Sequence, residues 1–330
     1  MKRIIIPPQP KDIPLQFYLA TEEWVARNLP AGEYFFAWQT EPTVICGRHQ
    51  DIPSEVDIEY ASSHNIRISR RKSGGGAVYA DRSNVMFSYI TPSDAVQTIF
   101  GNYTSMICRM LGSLGIEAEP TGRNDISIGG RKVAGNAFLK LPGRSVVHGT
   151  MLYDADFDTM SKVLTPSRAK ILSKGVVSVP SRITTLVAER IKLDCMEFID
   201  YAVDYLCKEG EYRLTDENIS EINVILKSYF DPSFFDKEPT RPKTTINSKY
   251  IDGIGQIAIE FKTASNGIIS DVDLKGDFFP IGDISLIENC VKGMPYHKEA
   301  VEDALKELPL DMIIAGLNHE NIKELLPNKI

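Results

Sequence analysis

The chain has 330 residues, 43% of them hydrophobic and 25% charged. That is enough to bury a sizeable core and, at about 150 residues per domain, to form two domains. With 37 Lys and Arg against 44 Asp and Glu the net charge is −7, which argues against a general nucleic-acid binder. No apolar run reaches the roughly 18 residues of a membrane span, and Pro7-Pro8 cuts the first apolar triplet short of a secretory segment. Five cysteines without a CxxC pair indicate neither a disulfide framework nor a zinc ribbon, so a reducing cytoplasm is the expected compartment.

Pro14 opens a helical pattern, LQFYLATEEWVARN, with apolar residues 15, 18, 19 and 25 on roughly one face. Strands are predicted at 34–39, 43–47, 66–70 and 84–90, and a long helix at 94–114 with Gly115 beyond its end. DISIGGRKVAGNAFLK reads as a hairpin turning at Gly129-Gly130, and 146–153 as a further strand. Helices follow at 156–163, 195–208 and 216–229, then a Pro-containing linker at 231–248. Beyond it come a hairpin turning at 265–267 and two short amphipathic helices. No regular βαβ alternation appears, so the fold class is α+β with a mixed or antiparallel sheet: a larger domain at 1–245 and a small α+β domain at 246–330. The small domain carries 8 basic and 14 acidic side chains and so holds most of the net negative charge.

Two stretches of the larger domain are locally basic: Arg67, Arg70, Arg71 and Lys72, and Arg123, Arg131, Lys132, Lys140 and Arg144. Such clusters suit a confined anion, for example a nucleotide phosphate. In RRKSGGGAVY three consecutive glycines let backbone N–H groups approach an anion closely, with Arg71, Lys72 and Ser73 beside them. The alternative is a flexible loop, and neither a Walker A loop nor a GxGxxG turn is present. In GRKVAGNA, strand alternation places Lys132, Ala134 and Asn136 on one face, where a lysine among small residues suits a cavity floor; a plain exposed hairpin lysine is the bland reading. Asp125, in GRND, could help bind Mg²⁺ beside substrate phosphates. His148-Gly149-Thr150 lies in an apolar strand, where a core histidine is the default, and Gly149 marks a close approach. The basic loop from Lys170 to Arg182 could close over a nucleotide or simply be solvated. Nucleophile and metal-ligand patterns are missing, and Cys46 and Cys108 read as buried thiols.

The ordered set RRKSGGGAVYAD, GRNDI, GRKVAGNA, HGT and SKGVVSVPSRI resembles the lipoate–protein ligases of the biotin/lipoate ligase superfamily, as does EPTVICGRHQ upstream. The resemblance covers residues 15–190, and GIISDVDLKGDFF extends it to that family's C-terminal accessory domain. It implies that lipoate and MgATP give lipoyl-adenylate and pyrophosphate, after which a lysine of an acceptor domain takes the lipoyl group and releases AMP. Arg71, Gly76, Ala77, Val78 and Tyr79 would bind ATP, and Asn124 and Asp125 would sit by the adenylate, Asp125 with Mg²⁺. Ser73, Gly74, Gly75, His148 and Gly149 would face lipoate. Lys132, the catalytic residue, would contact the lipoyl carboxylate or carbonyl oxygen and the α-phosphate. The implied acceptors are lipoyl domains of 2-oxoacid dehydrogenase complexes or the glycine-cleavage carrier protein, with the enzyme a monomer. An ATP-independent octanoyl or lipoyl transferase, a non-catalytic sensor and a biotin ligase are the alternatives. The family leads one to expect a Trp- and Gly-bearing stretch before the inter-domain linker; here it reads Tyr229-Phe230-Asp231-Pro232-Ser233-Phe234-Phe235.

Overall fold

The computed structural model describes residues 1–10, 12–93, 96–121, 124–165, 182–235, 244–264 and 267–327. Strand β6 (Val85–Thr91) sits near the middle of the largest sheet. Its alternation sends Val85, Phe87 and Tyr89 to one face and Met86, Ser88 and Ile90 to the other, and every residue is buried because both faces are covered. Its neighbours are β2 (Tyr34–Trp38) and β10 (Arg144–Met151), both antiparallel to it. Beyond β10 run β9 (Arg131–Leu141), β8 (Asp125–Ile128) and β7 (Glu119–Thr121), again antiparallel. On the far side of β2, β1 (Lys2–Ile5) and β11 (Glu211–Arg213) add parallel pairings, making the eight-stranded sheet mixed. The order is β11-β1-β2-β6-β10-β9-β8-β7, and the class is α+β as expected. Neither β1 nor β11 is foreseen: they pair with each other across about 200 residues of chain, a partnership with no local mark.

A second sheet of β3 (Thr43–Cys46), β4 (Arg67–Arg70) and β5 (Val78–Ala80) packs with the short helices α2 (Ile52–Glu55), α3 (Ile58–Ser63) and α5 (Phe157–Val163) around Val44, Ile52 and Val163. Helices α4 (Val96–Ser113) and α6 (Cys195–Leu206) cover one face of the main sheet, around Phe35, Phe87, Tyr103 and Phe198. Helices α1 (Gln16–Asn28) and α7 (Asp216–Lys227) cover the other, around Phe17, Trp24, Phe36 and Ile222. The single apolar face expected of α1 needs correcting: the helix is buried almost all round, including Thr21, Glu22 and Glu23, because it lies between the sheet and α7. Trp24 Nε1 donates to Glu221 Oε2 of α7 at 2.6 Å.

A third sheet, antiparallel β12 (Thr244–Ile251), β13 (Gly255–Thr263) and β14 (Ile269–Gly276), forms a separate core with C-terminal helices around Ile257, Phe261, Leu274, Val301 and Leu317. The linker expected at 231–248 is thus shorter: β12 takes its last five positions and a helical turn (Pro232–Phe235) its start, with 236–243 outside the described residues. The expected boundary after residue 245 falls two residues into β12. The turn residues Ser265 and Asn266 also lie outside the described part.

Candidate active site

The glycine run leaves β4 and enters β5. Arg71, 5% exposed, organises it: Nε donates to Ser73 Oγ at 3.0 Å, Nη2 to the carbonyls of Gly74 and Gly76 at 2.7 and 2.8 Å, and Nη1 to that of Ile45 at 2.9 Å. Burial pulls the guanidinium down to about 10, and Asp277 acts against that pull, so it stays charged at neutral pH. Gly75 has φ +87°, a left-handed conformation that glycine adopts without strain. Its N–H donates to the carbonyl of Phe278 at 3.2 Å, and the Gly276 N–H to that of His49 at 2.9 Å, so the C-terminal unit closes directly on the loop. A Cβ at Gly74 would lie 2.3 Å from the Phe278 carbonyl, which explains why that position carries no side chain.

Opposite the loop stands the β8–β9–β10 corner. The β8–β9 turn runs through Gly129 and Gly130 with φ +55° and +73°, both left-handed as the hairpin reading requires. Register slips in β9 between the partners of Ile126 and Ser127, which face Ala134 and Lys132, leaving Val133 as the extra residue. The expected cavity face holds for Lys132 and Asn136 but not for Ala134: the bulge sends Ala134 into the core with Val133, whereas Lys132, Gly135, Asn136 and Ala137 line the cavity. Lys132 Nζ lies 2.8 Å from Asp125 Oδ1.

Between loop and corner is a cavity of about 250 Å³. Leu19, Trp38, Ile45, Val78 and Met86 supply apolar lining; Arg71, Asn124, Asp125, Lys132 and Asp277 supply charge and polar groups. His148 forms part of the wall, 6% exposed, with Nδ1 donating to Glu22 Oε2 at 2.7 Å and Nε2 at 2.7 Å from Ser73 Oγ. Glu22 also accepts from Ser88, whose hydroxyl accepts from Trp38 Nε1 at 2.9 Å. Helix α1 is therefore wired to the glycine loop through His148.

Of the residues singled out from sequence, Arg71, Gly75, Gly76, Ala77, Val78, Asn124, Asp125, Lys132, His148 and Gly149 line this one cavity. Ser73 and Gly74 lie behind it, Ser73 on His148 and Gly74 against Phe278 and Pro280. Tyr79 turns away to donate to Asp81 Oδ2 at 3.0 Å. The two basic stretches narrow to one cavity-lining cation each among the described residues, Arg71 and Lys132. Arg70 donates to the carbonyls of Gly47, Arg48 and Gln50, and Arg131 pairs with Glu189 at 2.7 Å. Lys72, expected to charge the loop, points the other way: its Nζ is 2.7 Å from Glu23 and 4.4 Å from the Tyr229 ring. Gly122, Arg123 and residues 170–181 lie outside the described residues.

Sequence reading assigns no role to two lining residues, Asn136 and Asp277, nor to Glu22, which holds His148 from behind. Glu22 had a signal, an acidic pair inside an apolar helical pattern. Asn136 was placed only on a face, and Asp277 had no signal at all, since it comes from the C-terminal unit. Cys46 lies in β3 beside the loop; burial pushes its thiol up to about 11 against the pull of Arg70 and Arg71, and it does not line the cavity.

Comparison with known proteins shows the family of the chain. The lipoyl protein ligase A/B catalytic domain family matches residues 14–207 and the bacterial lipoate protein ligase C-terminus family residues 242–326. Lipoate–protein ligase 1 of Staphylococcus aureus is 35% identical over 325 residues, covering 93% of this chain and 95% of the relative. Lipoate-protein ligase LplJ of Bacillus subtilis is 32% identical, with the same coverages. Among solved structures, P. falciparum LipL1 in complex with lipoate superposes with a TM-score of 0.78 over 98% of this chain and 97% of its own, at 19% identity. Lipoate-protein ligase A bound with ATP superposes with a TM-score of 0.61 over 71% of this chain and 97% of its own, at 23% identity. With a catalytic-domain match over more than half its length and full-length relatives above 30% identity, the chain belongs to the lipoate–protein ligase family.

Proposed function

We propose that the protein is an ATP-dependent, AMP-forming ligase that activates lipoate and transfers the lipoyl group to a lysine of an acceptor lipoyl domain. The observation that carries this reading is the convergence of the glycine loop, Asn124–Asp125 and Lys132 on one cavity that also has an apolar lining. An acyl chain needs the second property, a triphosphate and a carboxylate the first. In the first step a lipoate carboxylate oxygen attacks the α-phosphorus of ATP, a P–O bond forms, and the bond to pyrophosphate breaks. Lys132 neutralises the charge that gathers on the lipoyl carboxylate and the α-phosphate, and Arg71 adds positive charge behind the loop amides. In the second step the acceptor lysine's amine attacks the acyl carbon, a C–N bond forms, AMP leaves and the amine loses a proton. The nucleophile thus arrives on the partner, and the enzyme's share is positioning and charge.

Arg71, Gly76, Ala77 and Val78 are assigned to the nucleotide and Gly75, His148 and Gly149 to lipoate. Ser73, Gly74 and Tyr79 support them from behind. Asp125 is the carboxylate assigned to Mg²⁺, an ion that takes one or two protein carboxylates and otherwise phosphate oxygens and water. Its place beside Lys132 in the cavity fits that donor set, and the ion would supply charge neutralisation of the phosphates. Acceptors are assigned to the lipoyl domains of 2-oxoacid dehydrogenase complexes or the glycine-cleavage carrier; an archaeal ligase has been solved in a study of its lipoylation system with an E2 lipoyl domain. Cytoplasmic location and a monomeric state belong to the same reading; among the described residues no helix is long and apolar enough to cross a membrane. The division of labour is a catalytic unit ending before the segment 236–243 and an accessory unit after it.

The test is pyrophosphate exchange into ATP with purified protein and Mg²⁺, without acceptor. Exchange that requires lipoate is expected. A folded protein that binds lipoate yet shows no exchange would move the assignment to an ATP-independent transferase. A transferase that works through an acyl-enzyme needs an acyl-accepting thiol, and among the described residues lining the cavity there is no cysteine.

A further inference from the structure

The β9–β10 pairing sets Gly149 directly opposite Asn136, and the two glycines of this corner, Gly135 and Gly149, are each overlain by one side chain. A Cβ at Gly135 would lie 2.6 Å from Lys132 Nζ; a Cβ at Gly149 would lie 2.0 Å from Asn136 Oδ1 and 3.0 Å from its Cγ. Both are closer than a real Cβ tolerates, so each glycine is a seat. The first seat holds the lysine ammonium and the second holds a carboxamide that is 4% exposed.

That carboxamide reaches across to the segment that starts β8. Asn136 Nδ2 donates to the Asn124 carbonyl at 2.8 Å, the Asn136 backbone N–H donates to the same carbonyl at 3.0 Å, and Asn124 Nδ2 donates back to the Asn136 carbonyl. Three hydrogen bonds thus fix Asn124, and the next residue is Asp125, whose carboxylate holds Lys132 at 2.8 Å. The ladder shares in this: Asp125 pairs with Gly135 of β9 and Thr121 of β7 before the β8–β9 register breaks after Ile126, and the Asn136 side chain adds its bond to Asn124 where β8 begins.

We propose that Asn136 is a positioning residue for adenylation: its side chain, seated on Gly149, latches Asn124 and so sets Asp125 and Lys132 against the substrates. This rests on the ligase reading above. Gly149 then serves lipoate indirectly, by leaving room for Asn136.

Asn136→Ala, Gly149→Ala and the double variant test the latch. Displacing a catalytic group by about an ångström can cost on the order of 100-fold in rate. In lipoate-dependent exchange, Asn136→Ala and Gly149→Ala are expected to lower kcat by at least about 10-fold on that basis, with KM for lipoate little changed. Because Gly149 acts through Asn136, the double variant is expected to be no slower than Asn136→Ala alone. Asn136→Ser, which keeps a small polar group, is expected to fall between Asn136→Ala and the unaltered chain, and takes the place of Asn136→Ala if that variant does not fold. In the unliganded protein the amide at position 136 is expected to lose hydrogen-exchange protection in the variants. Unchanged kcat in Asn136→Ala, or equal Gly149→Ala losses in both backgrounds, overturns the proposal. So does unchanged amide protection. An unaltered chain with no exchange activity refutes the ligase reading instead, and the protection measurement still decides the latch.

Discussion

Lys132 keeps a third of its side chain exposed while its ammonium rests on Asp125, so removing it takes charge from the cavity without opening the core. Removing one preorganised charge-stabilising group typically costs about 100- to 1,000-fold in rate. Lys132→Ala is therefore expected to lose at least about 100-fold in lipoate-dependent exchange, with stability within about 0.5 kcal/mol of the parent. Exchange at the parental rate would remove Lys132 from the chemistry. Sequence reading reaches Lys132 through its small neighbours and puts it on the cavity face, yet puts Ala134 there too, because a one-residue bulge leaves no mark in composition. Arg71 and Lys72 make the same point: two adjacent cations look alike in sequence, but the first bonds to loop carbonyls and the second to Glu23 of α1. What separates them is which side of the chain faces the cavity, a property of the tertiary fold.

Helix α1 is the element on which the site leans. Burial raises the Glu23 carboxyl, but the hydrogen bonds and charges of Lys72 and Arg27 outweigh burial and hold it below the usual carboxylate range. A carboxyl depressed in the folded state contributes stability fully above its unfolded value, about 4.3, and loses it as the pH falls through the folded value. Denaturation over a pH series is therefore expected to show Glu23→Gln less stable than the parent at neutral pH, with the gap narrowing under acid. A gap that stays constant from pH 7 to 3 would refute the Lys72–Glu23–Arg27 cluster as a stabilising unit. Long or strongly patterned elements, such as β6, α4 and the Gly129-Gly130 hairpin, were legible because their periods or turn residues are local. The burial of α1 on all sides was not, since it depends on α7, about 200 residues away.

At the scale of the molecule the two units are joined through more than a linker. Phe279, from the C-terminal unit, is 1% exposed in the core of the catalytic unit, 5.6 Å from the ring of Phe100. Truncating a buried Phe costs about 3–5 kcal/mol, so Phe279→Ala is expected to lower the unfolding midpoint of the whole chain and to separate its unfolding into two transitions. A single transition at the parental midpoint would show that Phe279 does not couple the two units. The segment Tyr229–Phe235, which lacks the Trp and Gly the family suggested, docks instead by rings and cations: Tyr229 under Lys72, and Phe234 4.6 Å below the Arg48 guanidinium. Both cations flank the glycine run, so the approach to the C-terminal unit is pinned where the site begins.

Three glycines in a row make a chain segment with an unusually large number of accessible conformations, and an enzyme that had to freeze it at every turnover would surrender much of its affinity to that ordering. The Arg71 guanidinium, closed around the carbonyls of Gly74 and Gly76, removes this freedom when the protein folds. On the proposed assignment of this loop to the nucleotide, each incoming ligand meets a template already cast, and the entropy is lost once per molecule of enzyme rather than once per molecule of product.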